Sequence, residues 1–255
     1  MAPVVAVTNQ KGGVGKTTTV VNLAAYAGLG GLRTLVIDSD PQANATSALG
    51  VLPSAAGSIY THAEPMATSA ENVWLVPAGP ELAEHARPWH DAGHELRALH
   101  MAVQQLQNSF ELILIDCPPN FTALPRNALL VATQVVIPVQ CEYFALEGLS
   151  QLLAHIEELH GSAPLADWQI LLTMASPGAL ARSVIAEVRR HFGDRVLSVE
   201  IPRDEAAAVA PSHGRALLDH DPLCPAALAY LAVTRELLSR WGSKTSRREA
   251  CPTAS

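Results

Sequence analysis

Lysine is scarce in this sequence. Only three of the 255 residues are lysine, whereas fourteen are arginine. Two of the three, Lys11 and Lys16, stand five residues apart in the glycine-rich stretch NQKGGVGKTTT, residues 9–19. Because a guanidinium is bulkier and forked, two compact ammonium groups kept in one turn indicate a site that requires them there.

Other shortages restrict the class of protein. Charged residues make up 16% of the chain and the formal net charge is −7, so contact with DNA would need a local basic patch. The four cysteines form no CxxC pair, which indicates reduced, cytosolic thiols. No apolar run approaches the length that crosses a bilayer, and the N-terminus lacks the basic region of a signal peptide. We therefore expect a cytoplasmic protein with no membrane partner.

Short β-branched runs alternate with helical stretches along the chain. The predicted buried strands are 4–8, 33–40, 73–78, 112–119, 135–139, 169–174 and 196–202. The predicted helices are 16–29, 81–107, 146–160, 181–192 and 225–241. This alternation predicts an α/β fold, a mostly parallel twisted sheet with helices on both faces. We expect one domain over residues 1–241 and a disordered tail at 242–255.

The glycine-rich stretch has the layout of a phosphate-binding loop, which makes the expected fold P-loop NTPase-like. A strand precedes it and Lys-Thr opens a helix, so backbone N–H groups can converge on an anion. The standard spacing G-x4-G-K-[ST] would need glycine at position 10, where this chain has Gln10 and then the additional Lys11. We expect Lys16 to contact the β- and γ-phosphates of ATP and Thr17 to ligate Mg²⁺. A glycine turn without nucleotide is the alternative that the flanking strand and helix disfavour.

Three aspartates stand at predicted strand ends, where ligands bind in open α/β sheets. Asp38 ends one strand, Asp40 lies just beyond it, and Asp116 ends another. Asp116 is suited to holding Mg²⁺, the Walker B role. Asp40 is the better candidate for orienting the attacking water, and we include it with Thr17 and Asp116 as a metal-site residue. Each aspartate alone could equally be a helix cap or a turn residue.

Several segments occur in the order found in chromosome-partitioning ATPases of the ParA/Soj family. They are NQKGGVGKTTT, DSDPQANATSALG, IDCPPNFTALPRNAL, VVIPVQCEYFALEGLSQLL and VEIPRDEAAAVAPSHGRAL. The chain resembles this family over about residues 4–241, and its loop resembles the deviant Walker A loop of the MinD/ParA class. The resemblance implies that Lys11 reaches across a dimer interface to the partner's nucleotide. The implied nucleotide-binding residues are Lys11, Gly12, Gly13, Val14, Gly15, Lys16, Thr17, Thr18, Met174 and Pro202, with Lys11, Lys16 and Asp40 catalytic.

The same resemblance implies a cycle of partners. ATP would close a homodimer, the dimer would bind DNA without sequence preference on the nucleoid, and a ParB/Spo0J-like protein would stimulate slow hydrolysis. Two arginines of the family's DNA-binding surface are missing here, near Gly178 and at Ala206. Residues 180–215 contain six arginines and five acidic residues, so the positive charge of this segment is small and we expect weakened DNA binding.

Three other functions remain open. A MinD-like positioning ATPase would need a C-terminal amphipathic basic helix, and the tail lacks a large apolar face. A metabolic enzyme could use the same loop to phosphorylate or amidate a small acid. A ParA-like regulator could dimerise on ATP without binding DNA. His85, His90, His94 and His100 could suggest zinc, but HExxH is absent and an exposed polar face is favoured.

Overall fold

A seven-stranded sheet positions every other element. The computed structural model describes residues 2–52, 57–61, 64–79, 81–86, 93–120, 122–143, 145–160 and 167–249. Its strands are β1 (Val4–Val7), β2 (Thr34–Asp38), β3 (Met66–Ala67), β4 (Val73–Val76), β5 (Leu112–Asp116), β6 (Gln134–Gln140) and β7 (Asp167–Thr173). Their order is β3-β4-β2-β5-β1-β6-β7, and all pairs are parallel except β3 with β4. The predicted mostly parallel sheet is confirmed.

Helices cover both faces of the sheet. They are α1 (Lys16–Leu29), α2 (Asn44–Ala48), α3 (Leu82–His85), α4 (Gly93–Leu106), α5 (Ala123–Val131), α6 (Ala145–His160), α7 (Ala179–Phe192), α8 (Glu205–Val209), α9 (Leu217–His220) and α10 (Pro225–Glu249). Helices α4 to α7 pack on one face, and α1, α2, α9 and α10 on the other. No helix in the described part of the chain has the length and apolar character to cross a bilayer.

The pleat of the strands explains their unbroken apolar sequences. In β1, Val4 and Ala6 enter one core cluster while Val5 and Val7 enter the other, and all four side chains are fully buried. Successive side chains point to opposite faces of a strand, so a sheet covered on both faces needs an apolar residue at every position.

The predicted strand at 196–202 is wrong. Only two isolated parallel bridges join this segment to β7 and its extension, Ile170 with Val196 and Ala175 with Pro202. Between the bridges, the backbone N–H of Ser198 donates to the Glu236 carboxylate on α10, at 3.0 and 3.2 Å. Leu197 N and Ile201 N still donate to Ile170 O and Leu172 O of β7, each at 2.9 Å. Four residues of the segment thus span two residues of β7, so the register slips and no continuous ladder forms.

Other differences concern element boundaries. The predicted helix 81–107 contains α3 and α4, with 87–92 outside the described residues. Strand β3 was missed because its two residues are exposed and carry no alternating pattern. Helix α10 continues to Glu249, so the backbone of 242–249 is helical where we expected a disordered tail; residues 250–255 lie outside the described part. Lysine, arginine and glutamate are good helix formers, and proline is absent until position 252.

A proline lies inside β6 without interrupting it. Pro138 pairs with Leu171 within a regular ladder. On its other side β1 ends at Val7, opposite Val136, so no β1 residue needs the missing N–H. The Pro138 carbonyl instead accepts a hydrogen bond from Asn9 Nδ2 at 2.7 Å.

A buried hydroxyl pair links α1 to α10 and supplies a test of the packing. Thr19 Oγ1 and Tyr230 Oη lie 3.1 Å apart, and both residues are at most 1% exposed. We expect Tyr230→Phe and Thr19→Val each to destabilise the protein by about 1–2 kcal/mol, because each leaves a buried hydroxyl unpaired. The double variant should lose less than the sum, as measured by urea unfolding. Additive losses would contradict an energetic link between the two hydroxyls.

Candidate functional site

The glycine-rich turn leads from the end of β1 into α1. Gly15, at the N-cap of α1, has φ 89°, in the left-handed region that side chains disfavour. The first intrahelical bond runs from Thr19 N to Gly15 O at 2.9 Å. No side chain caps this helix end, so its first N–H groups face the turn and suit an anion.

Lys16 lies along the inside of this turn. Its Nζ donates to the Lys11 carbonyl at 3.0 Å, and the residue is 6% exposed. Burial lowers the pKa of Lys16, and the nearby Asp116 carboxylate opposes that shift. The ammonium is therefore held in place before any ligand arrives.

The neighbouring strands β2 and β5 bring two aspartates together. Asp38 and Asp116 are register partners at the carboxyl ends of these strands, and both are fully buried. Asp38 accepts hydrogen bonds from Thr46 N at 2.8 Å, Thr46 Oγ1 at 2.7 Å and Asp40 N at 3.1 Å. Burial raises the pKa of Asp38 to about 6, although these hydrogen bonds oppose the rise. Asp38 thus anchors α2, which contains Thr46.

Asp116 is incompletely satisfied. The Thr17 hydroxyl donates to its Oδ2 at 2.7 Å, whereas its buried Oδ1 has no hydrogen-bond partner. Burial, and then the charge of Asp38, raise the pKa of Asp116 well above its usual range. An unpartnered carboxylate oxygen beside a threonine hydroxyl is an oxygen-donor set that fits Mg²⁺.

A cleft of about 470 Å³ opens at this edge of the sheet. Of the predicted site residues, it is lined by Gly13, Gly15, Lys16, Thr17, Thr18, Asp40 and Met174. The remaining lining residues were not predicted: Asn44, Ser47, Ala48, Pro119, Pro211 and Ser212. A short helix directly after Asp40 was a usable signal for the first three. Nothing local predicts Pro211 and Ser212, which reach the cleft from the far end of the chain.

Five predicted residues lie outside this lining, and one of them is the fully buried Asp116. Lys11 is half exposed, and its Nζ forms an ion pair with Glu142 Oε2 at 2.6 Å. Gly12 belongs to the turn without lining the cleft, and the Val14 carbonyl accepts from Thr173 Oγ1 at 2.9 Å. Pro202 lies beside Ala175. The structure therefore separates the two loop lysines, one inside the cleft and one on its outer side.

The histidines do not form a metal site in the described part of the chain. Among those residues no three His, Cys, Asp or Glu side chains form a group that could hold a metal ion by themselves. His85 stacks on Tyr60 with ring centroids 5.0 Å apart, and His100 Nε2 lies 2.8 Å from Gln104 Nε2. His90 and the His94 side chain lie outside the described residues.

Comparisons with known proteins identify the family. A family model described as an AAA domain matches residues 2–165. The sporulation initiation inhibitor protein Soj of Bacillus subtilis is 40% identical over 250 residues, which are 93% of this chain and 98% of that protein. The chromosome-partitioning ATPase Soj of Treponema pallidum is 37% identical over 245 residues, 92% of this chain and 97% of that protein. The chain belongs to the Soj/ParA family of chromosome-partitioning ATPases.

Solved structures agree on the fold of this family member. The crystal structure of cobyrinic acid a,c-diamide synthase from Mycobacterium smegmatis with bound ADP and magnesium matches with a TM-score of 0.80 and 30% identity. The match covers 96% of this chain and 97% of that one. The P-loop NTPase-like fold is thereby confirmed. That neighbour is named for an amidating enzyme, the metabolic alternative left open by the sequence.

The unpartnered carboxylate predicts a gain of stability on its removal. The folded-state pKa of Asp116 lies above the unfolded-state value, so the folded protein retains a proton that the unfolded chain has released. The contribution of Asp116 to the free energy of unfolding therefore falls as pH rises above about 4. We expect Asp116→Asn, without metal or nucleotide, to be more stable than the unsubstituted protein by about 1–3 kcal/mol near pH 8. The difference should shrink toward pH 4.

Urea unfolding across this pH range measures the effect. Asp194→Asn is the control, because it removes an exposed carboxylate remote from the cleft. Equal pH profiles for the two variants would contradict the destabilising effect of the buried Asp116 carboxylate.

Proposed function

We propose that this protein is a Mg²⁺- and ATP-dependent dimerising ATPase that acts as a switch in chromosome or plasmid partitioning. In this cycle the ATP-bound dimer binds DNA without sequence preference, and a ParB/Spo0J-like protein stimulates hydrolysis. The observation that carries the proposal is the separation of the two loop lysines. Lys16 lines the cleft of its own chain, whereas Lys11 projects from the same loop toward the outside.

That separation suits two copies facing each other. Lys16 would bind the phosphates of its own ATP together with the N–H groups of α1. Lys11 cannot do the same while its Nζ lies on Glu142, but a facing copy would bring a second triphosphate near it. A cation supplied from outside neutralises charge that develops on the transferred phosphoryl group. Hydrolysis would then require the dimer.

The cleft residues and the buried Asp116 beside them divide the remaining tasks. Thr17 and Asp116 would hold Mg²⁺, whose chemistry when bound is to neutralise the phosphate oxygens. Asp40 lines the cleft and keeps its carboxylate oriented through a 2.9 Å bond from Gln42 N to its Oδ1. From there it would orient the attacking water. Among the residues that the structure describes, none that lines the cleft is arginine, which supports slow turnover without a partner.

The central experiment measures assembly. We expect the protein to form a transient dimer with Mg²⁺ and ATP, and Asp40→Ala to form a stable one, because the variant binds ATP but cannot orient water. Size-exclusion chromatography with light scattering measures both. Lys11→Ala should bind ATP yet remain monomeric.

Arg33→Ala is the matched control for Lys11→Ala. Arg33 forms an ion pair with Glu111 at 3.6 Å and has a similarly exposed side chain, 55% against 51%. Loss of ATP-induced dimers in both variants would mean that Lys11 has no special role. A monomeric Asp40→Ala protein with ATP bound would refute the dimer.

A second candidate function is a ParA-like regulator that dimerises on ATP without binding DNA. Three of the six arginines between 180 and 215 form ion pairs within the chain: Arg189 with Glu200, Arg190 with Glu187, and Arg195 with Asp167. A DNA phosphate that approached these guanidinium groups would meet the paired carboxylates as well. Fewer free cations mean fewer phosphate contacts and lower nonspecific affinity.

A mobility-shift assay separates these two functions. The main proposal predicts that nonspecific duplex is retarded at about 50 mM salt only with ATP or its non-hydrolysable analogue, and is released at about 200 mM. Glu187→Gln should strengthen binding, because it frees Arg190, whose side chain is 67% exposed. Glu111→Gln, in the remote pair with Arg33, should not. No retardation at either salt concentration, for any of these proteins, would favour the second candidate.

A further inference from the structure

Two segments remote in sequence form facing parts of the cleft. Helix α2 contributes Asn44, Ser47 and Ala48 to the lining, and the short 3₁₀ helix Ala210–His213 contributes Pro211 and Ser212. Immediately beyond these segments are two glycines, Gly50 and Gly214.

The two glycines touch backbone to backbone. A Cβ added to Gly214 would lie 2.8 Å from Gly50 Cα and 3.3 Å from Gly50 N. A Cβ added to Gly50 would lie 3.1 Å from the Gly214 carbonyl oxygen. Ser69 reinforces the contact, because its hydroxyl donates to the Gly214 carbonyl at 3.3 Å. No side chain larger than hydrogen fits at position 214 unless the backbone of 50 moves.

Helix α2 is fixed near its other end as well. The buried Asp38 carboxylate holds both the N–H and the hydroxyl of Thr46. Asp40 is joined to the start of the helix through the 2.9 Å bond from Ala43 N to Asp40 O. A displacement at Gly50 must therefore pass along α2 toward Asp40, since packed interiors transmit strain rather than absorb it.

We infer that Gly214 is a positioning residue for hydrolysis. Its direct contact with Gly50 sets the position of α2, and through α2 that of Asp40 in the cleft. The inference rests on the proposed function, in which Asp40 orients the attacking water. It assigns to the C-terminal 210–214 turn control over the catalytic rate without contact with the reacting atoms.

A pair of matched variants tests this. Gly214 has φ 63° and ψ 35°, and Gly193 has φ 50° and ψ −123°, so alanine strains the backbone at both positions and more strongly at Gly193. Only at Gly214 would the added methyl group also collide, because nothing lies within 4 Å of the corresponding position at Gly193. We expect Gly214→Ala to lower the single-turnover rate of ATP hydrolysis about 10- to 100-fold, the size of effect that a displacement near 1 Å produces. Gly193→Ala should keep the rate.

Nucleotide affinity distinguishes positioning from collapse. The Kd of a fluorescent non-hydrolysable ATP analogue should stay within about twofold in Gly214→Ala, since only the hydrolytic step loses its geometry. Equal rates in the two glycine variants, or a parallel loss of affinity and rate in Gly214→Ala, would overturn the inference.

Ser69→Ala covers the case in which Gly214→Ala does not fold. It removes the hydroxyl from the same contact without adding bulk, and should lower the rate by a smaller factor at unchanged Kd. An unchanged rate there would count against the inference. An unsubstituted protein without ATPase activity refutes the proposed function itself, whereas an active one with an active Gly214→Ala refutes only the role of Gly214.

Discussion

The whole site depends on two carboxyl groups forced together at the end of adjacent strands. The register of β2 and β5 sets Asp38 opposite Asp116, both without contact with water. Burial raises the pKa of both groups, and the charge of Asp38 raises that of Asp116 further, while the Thr17 hydroxyl and the Lys16 ammonium oppose the rise at Asp116. Asp38 accepts hydrogen bonds from Thr46, but one oxygen of Asp116 has no hydrogen-bond partner. In the proposed site, a divalent cation would be the partner of that oxygen.

The surroundings of Lys16 suit an ammonium group. Its Nζ donates to the Lys11 carbonyl, and the charges of Asp116 and Asp40 favour its protonated form, so a compact point charge fits this position. Arginine serves well elsewhere, in partly exposed ion pairs such as Arg189 with Glu200.

The sheet and half of the site could be predicted because local sequence determines them. A strand buried on both faces must be apolar throughout, and an acid at its end must lie at the ligand-binding edge. The lost strand at 196–202 could not be predicted, because the slip of its register against β7 is set by packing between distant parts of the chain. The positions of Pro211 and Ser212 in the cleft wall could not be predicted either, because long-range packing brings them there.

Weak charge on one protomer makes assembly more important for any contact with DNA. Nonspecific affinity grows with the number of DNA phosphates that a protein neutralises. Three of the six arginines between 180 and 215 are already in ion pairs, so a single copy would bind DNA weakly. Two copies locked by ATP would bind through both patches at once, with the second held at high effective concentration. Binding would then depend more steeply on dimerisation than in a relative with a strong patch. In the proposed switch, a weakly charged surface on each protomer would thus sharpen the dependence of DNA binding on nucleotide.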